Sequence, residues 1–474
     1  MLFSLKLFSE LTFAFPDILS ALSLFALIVA KNFAYVKYSK ATFPRISFLF
    51  ALVSLIATLV YSSFDIKFDT GLFIYNYNLG QIKILLLSLM CFWFFYTNYT
   101  KLYRALNSNF FVLVYGMVNS ITLSLSANNF LVLILALELY SFSMAFLILN
   151  DDHKIEGRKC AIRYLLTSSI MSAVFLFGCS LIYSQFGSLS FTKIKLTEDF
   201  ASTIGAILII CAMLFKLGCA PFHSWMIDVY ERASSVVVMF LEAIWKLFMF
   251  FIFIRVTALF LPGNFSPCRI VLLAASIMAM MFGSIMPIFQ RSIHKFIATA
   301  SVGHIGFLMM VFAAFTYTRS TSVVVSYLLY YSLAVVCFFT GILIIKSTRK
   351  VSEFSDLRGV INTSPMVGFL LLLSMFAMIG IPPFGNFIAK LNVFKFLLRH
   401  DAYVLLSVAM VYSVISIAYV IKWTRYFFKP VKTEPIYDHT NPILPIILLI
   451  ALPVSIFLYD YLNNHFMQIL KSGI

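Results

Sequence analysis

The chain is a succession of apolar runs, each about 20 residues long, joined by short polar links; about 20 residues is the length of helix that crosses a hydrocarbon core of about 30 Å. About fourteen such runs can be counted. The longest links, such as residues 63–80 and 425–442, stay under about 20 residues and leave no room for a soluble domain. In lipid every backbone donor and acceptor must be satisfied within the protein. Runs of this length, rich in Leu, Phe, Ile and Met, predict helices and not barrel strands. The expected fold is an all-α polytopic membrane protein of about 14 transmembrane helices, a single integral domain over residues 1–474.

Charge is then read as topology. The 474 residues are 62% hydrophobic and 11% charged, with a formal net charge of +16. No soluble surface exists to carry a nucleic-acid-binding stripe, so nucleic acid is excluded as a partner. With the N-terminus outside, the inner links hold about 21 Lys/Arg, among them Lys37, Lys40, Arg158, Lys159, Arg349, Lys350, Lys429 and Lys432, against about 11 on the outer side. Both termini are therefore expected on the outer side. The opening run MLFSLKLFSELTFAF lacks the basic segment and small-residue cleavage site of a signal peptide and is read as retained. The seven cysteines fall mostly inside apolar runs without a C-x-x-C pair, which points to packing and not to disulfides, a metal or an iron–sulfur site.

Two spans are interrupted. KLGCAPFHSW breaks the seventh at Pro221, and MIGIPPFGNFIAKL breaks the twelfth at Pro382 and Pro383. Each break lies in the fourth helix of a run of five. The division expected is a three-helix segment over 1–107, a first repeat over 108–262 (spans 4–8), a second over 263–428 (spans 9–13) and a C-terminal helix over 429–474. Paired broken helices in matching halves predict an inverted-repeat transporter with its site at the membrane midplane.

Ionisable groups inside the spans are the informative minority, because each costs at least about 2.5–3.5 kcal/mol at the bilayer centre. Glu138 lies in the fifth span, Lys216 in the seventh, Lys246 in the eighth and Lys390 just past the second break. Each is either a structural staple or a proton-handling group. A lone carboxylate and a lysine that share a partner change proton affinity when the partner moves, which suits a relay. Lys246 is too far from either end of its span to snorkel easily. His304 on the tenth span is a satisfied core histidine or a relay member. Arg163 is an inner-side anchor or a modulator of Glu138, and Asp228 and Glu231 are read as organising the inner loop. Glu242 stands four residues before Lys246, on the same helical face. It either pairs with Lys246 or faces a neighbour.

KLGCAPFHSWMIDVYE resembles the K-x-x-x-x-P-F-H-x-W-x-P-D-V-Y-E segment of the N subunit of proton-translocating NADH:quinone oxidoreductase, respiratory complex I (subunit 2 in mitochondria). LALELYSF, SVGHIGF and GIPPFGNFIAK are similar to that family's fifth, tenth and twelfth helices, in order over most of the chain. The resemblance implies a 14-helix antiporter-like subunit with inverted five-helix repeats and no redox centre of its own. It implies Glu138 as the acid pairing with Lys216, Lys246 as the central relay lysine and Lys390 as the terminal lysine toward the outer side. DVYE and Lys246 favour the N type over relatives with histidine in the eighth helix, and the lack of a long C-terminal extension speaks against the largest member. The chain departs from the pattern at Ile227, at Ser234 to Val236, where a glycine and prolines are usual, and at Glu242.

The function expected is proton translocation in the membrane arm, driven by quinone reduction elsewhere in a complex that holds NADH, FMN, iron–sulfur clusters and quinone. Partners expected are the other antiporter-like subunits, the small K-, J- and A-type subunits and the lipid bilayer. The location expected is the bacterial plasma membrane in preference to the mitochondrial inner membrane. Two alternatives stay open: a stand-alone or Mrp-type cation/proton antiporter, and a non-pumping structural subunit of the arm.

Overall fold

Helices whose backbone closes on itself account for almost all of the computed structural model, which describes residues 15–33, 42–63, 68–99, 107–151, 155–194, 199–261, 267–314, 317–430, 443–455 and 457. Both chain ends, whose outer-side placement and retained start were expected, lie outside the described residues, as do Lys37, Lys40 and Lys432. Among the described residues, 11 helices are long and apolar enough to cross a membrane, and Pro365–Ile379 and Pro445–Val454 are shorter apolar helices. The chain is a multi-pass membrane protein. By backbone contact it divides into two compact units, one within residues 1–213 and 251–262, the other within 214–250 and 263–471.

The first unit holds α1 (Phe15–Phe33), α2 (Thr42–Ser62), a short hairpin of β1 (Phe68–Asp69) and β2 (Ile74–Tyr75), α3 (Tyr77–Tyr99), α4 (Ser108–Ser126), α5 (Phe130–Asp151), α6 (Ile155–Phe186) and most of α7 (Phe200–Leu217). Neighbours in sequence pack antiparallel, α2 on α3, α4 on α5 and α5 on α6, while α1 lies against α2 and α4. A buried ion pair joins them: Lys83 on α3 donates to both oxygens of Asp17 on α1 at 2.7 and 2.8 Å. Ser126, closing α4, donates to Asp17 at 2.5 Å and accepts from Lys83. Lys83 is 0% exposed, so its charge is held by this pair and not by water.

The second unit begins at the end of α7 and continues through α8 (Ser224–Arg232) and the front of α9 (Ser235–Ala258). It then takes in α10 (Pro267–Phe289), α11 (Ile293–Ala314), α12 (Tyr317–Lys346), α13 (Val360–Thr363), α14 (Pro365–Ile379), α15 (Gly385–Arg399), α16 (Tyr403–Thr424) and α17 (Ile443–Val454). α10 and α11 approach closely because glycines face each other: a Cβ on Gly283 would stand 2.1 Å from the backbone nitrogen of Gly303. Small residues at such crossings let helices gain dispersion contact where lipid offers no hydrophobic drive. α9 is 100% buried over its apolar window and α11 94%, whereas α2 and α16 are 33% buried. Glu242 and Lys246 on α9 and His304 on α11 therefore lie in protein, and α2 and α16 present apolar faces outward.

Candidate functional site

The two breaks have one local design. α7 ends at Leu217 and Gly218 turns left-handed at φ 73°. Its amide donates to Phe215 O at 2.9 Å, and the Cys219 amide donates back to Leu214 O at 3.0 Å. α14 ends at Ile379 and Gly380 does the same at φ 72°, with Gly380 N to Ala377 O at 3.1 Å and Ile381 N to Phe376 O at 3.2 Å. This is the glycine C-cap with its paired 6→1 and 5→2 bonds. In each break a Pro-Phe follows the glycine by three residues: Pro221-Phe222 and Pro383-Phe384. Proline lacks the donor that would continue the ladder.

Each cap also leaves the carbonyl two residues before the helix end within reach of a side chain from the next helix. Trp225 Nε1 donates to Phe215 O at 2.8 Å, and Asn386 Nδ2 donates to Ala377 O at 3.1 Å. Lys216 sits one residue before the first break and is 4% exposed; Lys390 lies five residues into α15 and is 3% exposed. A broken helix and a buried lysine thus share each location.

The centre of the second unit is Lys246. Its ammonium donates to both oxygens of Glu242, at 2.6 and 2.7 Å, and to Ser301 Oγ on α11 at 2.6 Å. Three donors meet three acceptors, so the ammonium is fully satisfied while 4% exposed, and Glu242 is 1% exposed. Tyr331 on α12 donates to Glu242 at 3.2 Å. Glu242 faces inward to its lysine and not to lipid. The helix itself is modified here: residues Leu241–Trp245 form one π turn, closed by the Lys246 amide on Leu241 O. Such single wide turns shift the face on which following side chains emerge and concentrate at functional sites.

From this pair polar and aromatic groups continue across the unit. The His304 ring stacks obliquely on Tyr331 with centroids 4.7 Å apart, stands edge-on to Tyr412 at 6.1 Å, and its Nδ1 meets Tyr327 OH at 2.6 Å. Lys390 Nζ lies 5.5 Å from the Tyr412 ring centre and 5.7 Å from that of Phe307. Among the described residues Nζ makes no hydrogen bond, so its contacts are with ring faces. His304 thereby lies between Lys246 and Lys390, through Tyr331 on one side and Tyr412 on the other.

In the first unit Glu138 is half-buried on α5 and accepts a hydrogen bond from Ser172 on α6. Arg163, nine residues earlier on α6, is exposed. Near the inner loop Glu231 pairs with Lys295 at 2.9 Å, each about one third exposed. Sequence reasoning did not name Asp17, Lys83, Ser126, Ser301 or Tyr331. Lys83 carried a usable signal, a lysine inside the apolar run QIKILLLSLM; the hydroxyl groups carried none, because Ser and Tyr are common in membrane spans. Among the described residues no group of three or more His, Cys, Asp or Glu could hold a metal ion.

With this geometry in hand, comparisons give the family. The family model described as NADH:quinone oxidoreductase/Mrp antiporter, TM matches residues 127–416. The chain is 28% identical to NADH-quinone oxidoreductase subunit N of Pelagibacter ubique over 72% of its own length and 73% of that protein. It is 26% identical to subunit N 1 of Aquifex aeolicus over 87% and 88%. Among solved structures, a chain of respiratory complex I from Thermus thermophilus with bound aureothin shares the fold, with a TM-score of 0.77 and 22% identity over 94% and 96% of the two chains. A chain of the Mrp complex from Dietzia does so too, at 0.82 and 16% over 97% of each.

Proposed function

Because the chain belongs to the NADH:quinone oxidoreductase/Mrp antiporter transmembrane family, we propose that it is the N-type, proton-translocating membrane-arm subunit of an NADH:quinone oxidoreductase. The fold proposed has fourteen spans in two inverted five-helix repeats, 108–262 and 263–428, with the broken helices in matching places. The matched caps at Gly218 and Gly380 support that symmetry. The translocase contains no redox chemistry of its own in this reading. NADH, FMN, iron–sulfur clusters and quinone belong to the complex, whose other antiporter-like and small K-, J- and A-type subunits are the partners. The membrane proposed is the bacterial plasma membrane, with both termini on its outer side.

The observation that carries this reading is the buried Lys246–Glu242–Ser301 cluster, linked through Tyr331, His304 and Tyr412 to Lys390. Coupling arrives as a changed electrostatic balance at Glu138 and Lys216, whose pairing is part of the proposal. Lys246 then takes the proton while its carboxylate and hydroxyl acceptors hold the charge. Discharge follows toward Lys390, whose ammonium faces the rings of Phe307 and Tyr412 and makes no hydrogen bond among the described residues. Moving a proton against 100 mV costs about 2.3 kcal/mol. The gain or loss of one buried ion pair, about 3–5 kcal/mol, exceeds that.

The test is Lys216→Ala and Lys246→Ala in membrane vesicles that hold the assembled complex. NADH-driven quinone reduction is expected to slow and proton transfer to cease. Survival of both activities in a fully assembled complex would refute the relay and leave a structural subunit. A sodium gradient formed without NADH would identify a stand-alone antiporter instead.

A further inference from the structure

Where α1 ends, α4 begins and α5 ends, the first unit holds a cavity of about 350 Å³. Its rim is polar. Lys31 stands in the last turn of α1, Asn109 in the first turn of α4 and Asn150 next to the end of α5, all of them half-buried. Its floor is apolar: Val112 and Leu113 follow Asn109 along α4, and Phe146 and Leu149 precede Asn150 along α5. Side chains three and four residues apart share a helix face and lie about one turn, or about 5.4 Å, apart along the axis. The lining therefore passes from charged to apolar within one turn, going from the membrane face toward its interior.

The rim offers more polar capacity than it uses. Among the described residues Lys31 has no ion pair, and no acidic residue lines the cavity. Asn109 Nδ2 donates to Asn150 Oδ1 at 3.3 Å. That bond sets the two amides side by side and leaves the second N–H of Asn109 and the NH₂ group of Asn150 as donors. A cation in the last turn of a helix is favoured by the helix dipole, which accounts for Lys31 but not for the paired amides or the space beside them.

The shape of that space selects a chemical class. A free anion would suit Lys31 and the amides but would leave the apolar floor without a guest. Phe146 is 54% exposed, so the floor is open beside its ring, at the depth where acyl chains begin. A guest with an anion at the rim and hydrocarbon along the floor is an amphiphile. Ligand sites run from about 300 to 1,000 Å³, and this one has room for a headgroup and the first methylenes, with the rest of the tails outside. An ammonium headgroup would stand beside Lys31 with no carboxylate to receive it. A phosphoglycerol instead sets its phosphate on Lys31 and its neutral hydroxyls on the asparagine amides. Basic pockets between helices at a membrane face suit anionic headgroups for this reason.

We propose that this cavity binds one anionic, hydroxyl-bearing phospholipid of the phosphatidylglycerol kind, whose phosphate pairs with Lys31 and whose acyl chains leave past Phe146. In the orientation proposed above the site lies in the inner leaflet. The lipid fastens the end of α1 to α4 and α5. None of the lining residues belongs to the proton path, so binding and relay are tested separately.

The test uses the whole complex in nanodiscs of phosphatidylcholine with a minor share of phosphatidylglycerol that carries a photoreactive diazirine in its acyl chain. A phosphatidylcholine with the same diazirine is the control probe. After illumination, labelled peptides are identified by mass spectrometry at matched content of assembled complex. The phosphatidylglycerol probe is expected to label the segments at Val112–Leu113 and Phe146–Leu149 in preference to the control. Lys31→Gln should lower that labelling about fivefold, the weight of one basic residue toward an anionic headgroup, and Lys31→Arg should keep most of it. The double change Asn109→Val with Asn150→Leu keeps the charge, removes the amides and should narrow the preference over the control probe. NADH-driven quinone reduction should be unchanged in all of them. Equal labelling by the two probes in the wild type, or full labelling in Lys31→Gln, would overturn the proposal. Equal loss in Lys31→Gln and Lys31→Arg would overturn it too, because the charge would then be irrelevant. Loss of label on adding excess inorganic phosphate at constant ionic strength would assign the rim to a free anion instead.

Discussion

Glu242→Gln tests the centre of the site with the smallest change of shape. The carboxylate gives Lys246 two charge-assisted bonds at 2.6 and 2.7 Å and accepts a third from Tyr331 at 3.2 Å. Glutamine keeps the length but brings one acceptor and a donor group, so at most one of the lysine's two carboxylate bonds survives, without the opposite charge. Removing one partner of a buried pair costs about 3–5 kcal/mol because the other charge is left uncompensated. If that cost falls on the charged form of Lys246, its population drops about 10²- to 10⁴-fold. The loss exceeds the 2.3 kcal/mol or so that 100 mV supplies per proton, so an ordinary membrane potential does not make it good. The assay is proton uptake by vesicles at matched content of assembled complex, with NADH oxidation measured in parallel. Uptake is expected to fall at least about 100-fold, by the same arithmetic, while Glu242→Asp keeps a measurable fraction. Wild-type uptake per NADH oxidised in Glu242→Gln would refute the idea that this pair holds the transferred proton.

Two further predictions concern the scaffold. Asp17→Ala strands Lys83 without its carboxylate inside the first unit and should destabilise it by about 3–5 kcal/mol. The double change Asp17→Leu with Lys83→Met should recover most of that in a detergent thermal-stability assay, and no recovery would mean the pair's charges are not what the site needs. Gly283→Ala puts a methyl 2.1 Å from the Gly303 nitrogen, so α10 and α11 must separate. Overpacking of this kind costs about 1–3 kcal/mol, expected as reduced yield of assembled complex, and unchanged yield and melting temperature would show that the crossing is looser than described.

Much of the site was legible because local spacing carries it. Glu242 and Lys246 are four residues apart on one helix, and 3.6 residues per turn brings such side chains together whatever the rest of the chain does. The breaks were legible for the same reason: glycine for the left-handed cap and proline for the missing donor act within five residues. Charges inside apolar runs announced themselves by their cost. The count of spans was harder to read against the structure, since the segment expected as the twelfth span divides into α14 and α15 of 15 residues each, shorter than a crossing.

What only the tertiary structure decided is which helices meet. Asp17 finds Lys83 66 residues away and Ser126 109 residues away; Lys246 takes its third acceptor 55 residues on, at Ser301, and Ser235 meets Lys346 at a separation of 111. No periodicity encodes those partners, because they follow from which faces pack and how closely small residues let backbones approach. The sequence by itself determined a helical membrane protein, its interruptions and the charges it must accommodate. Packing decided which hydroxyl and aromatic groups surround each charge, and a buried charge is held or released by just those neighbours.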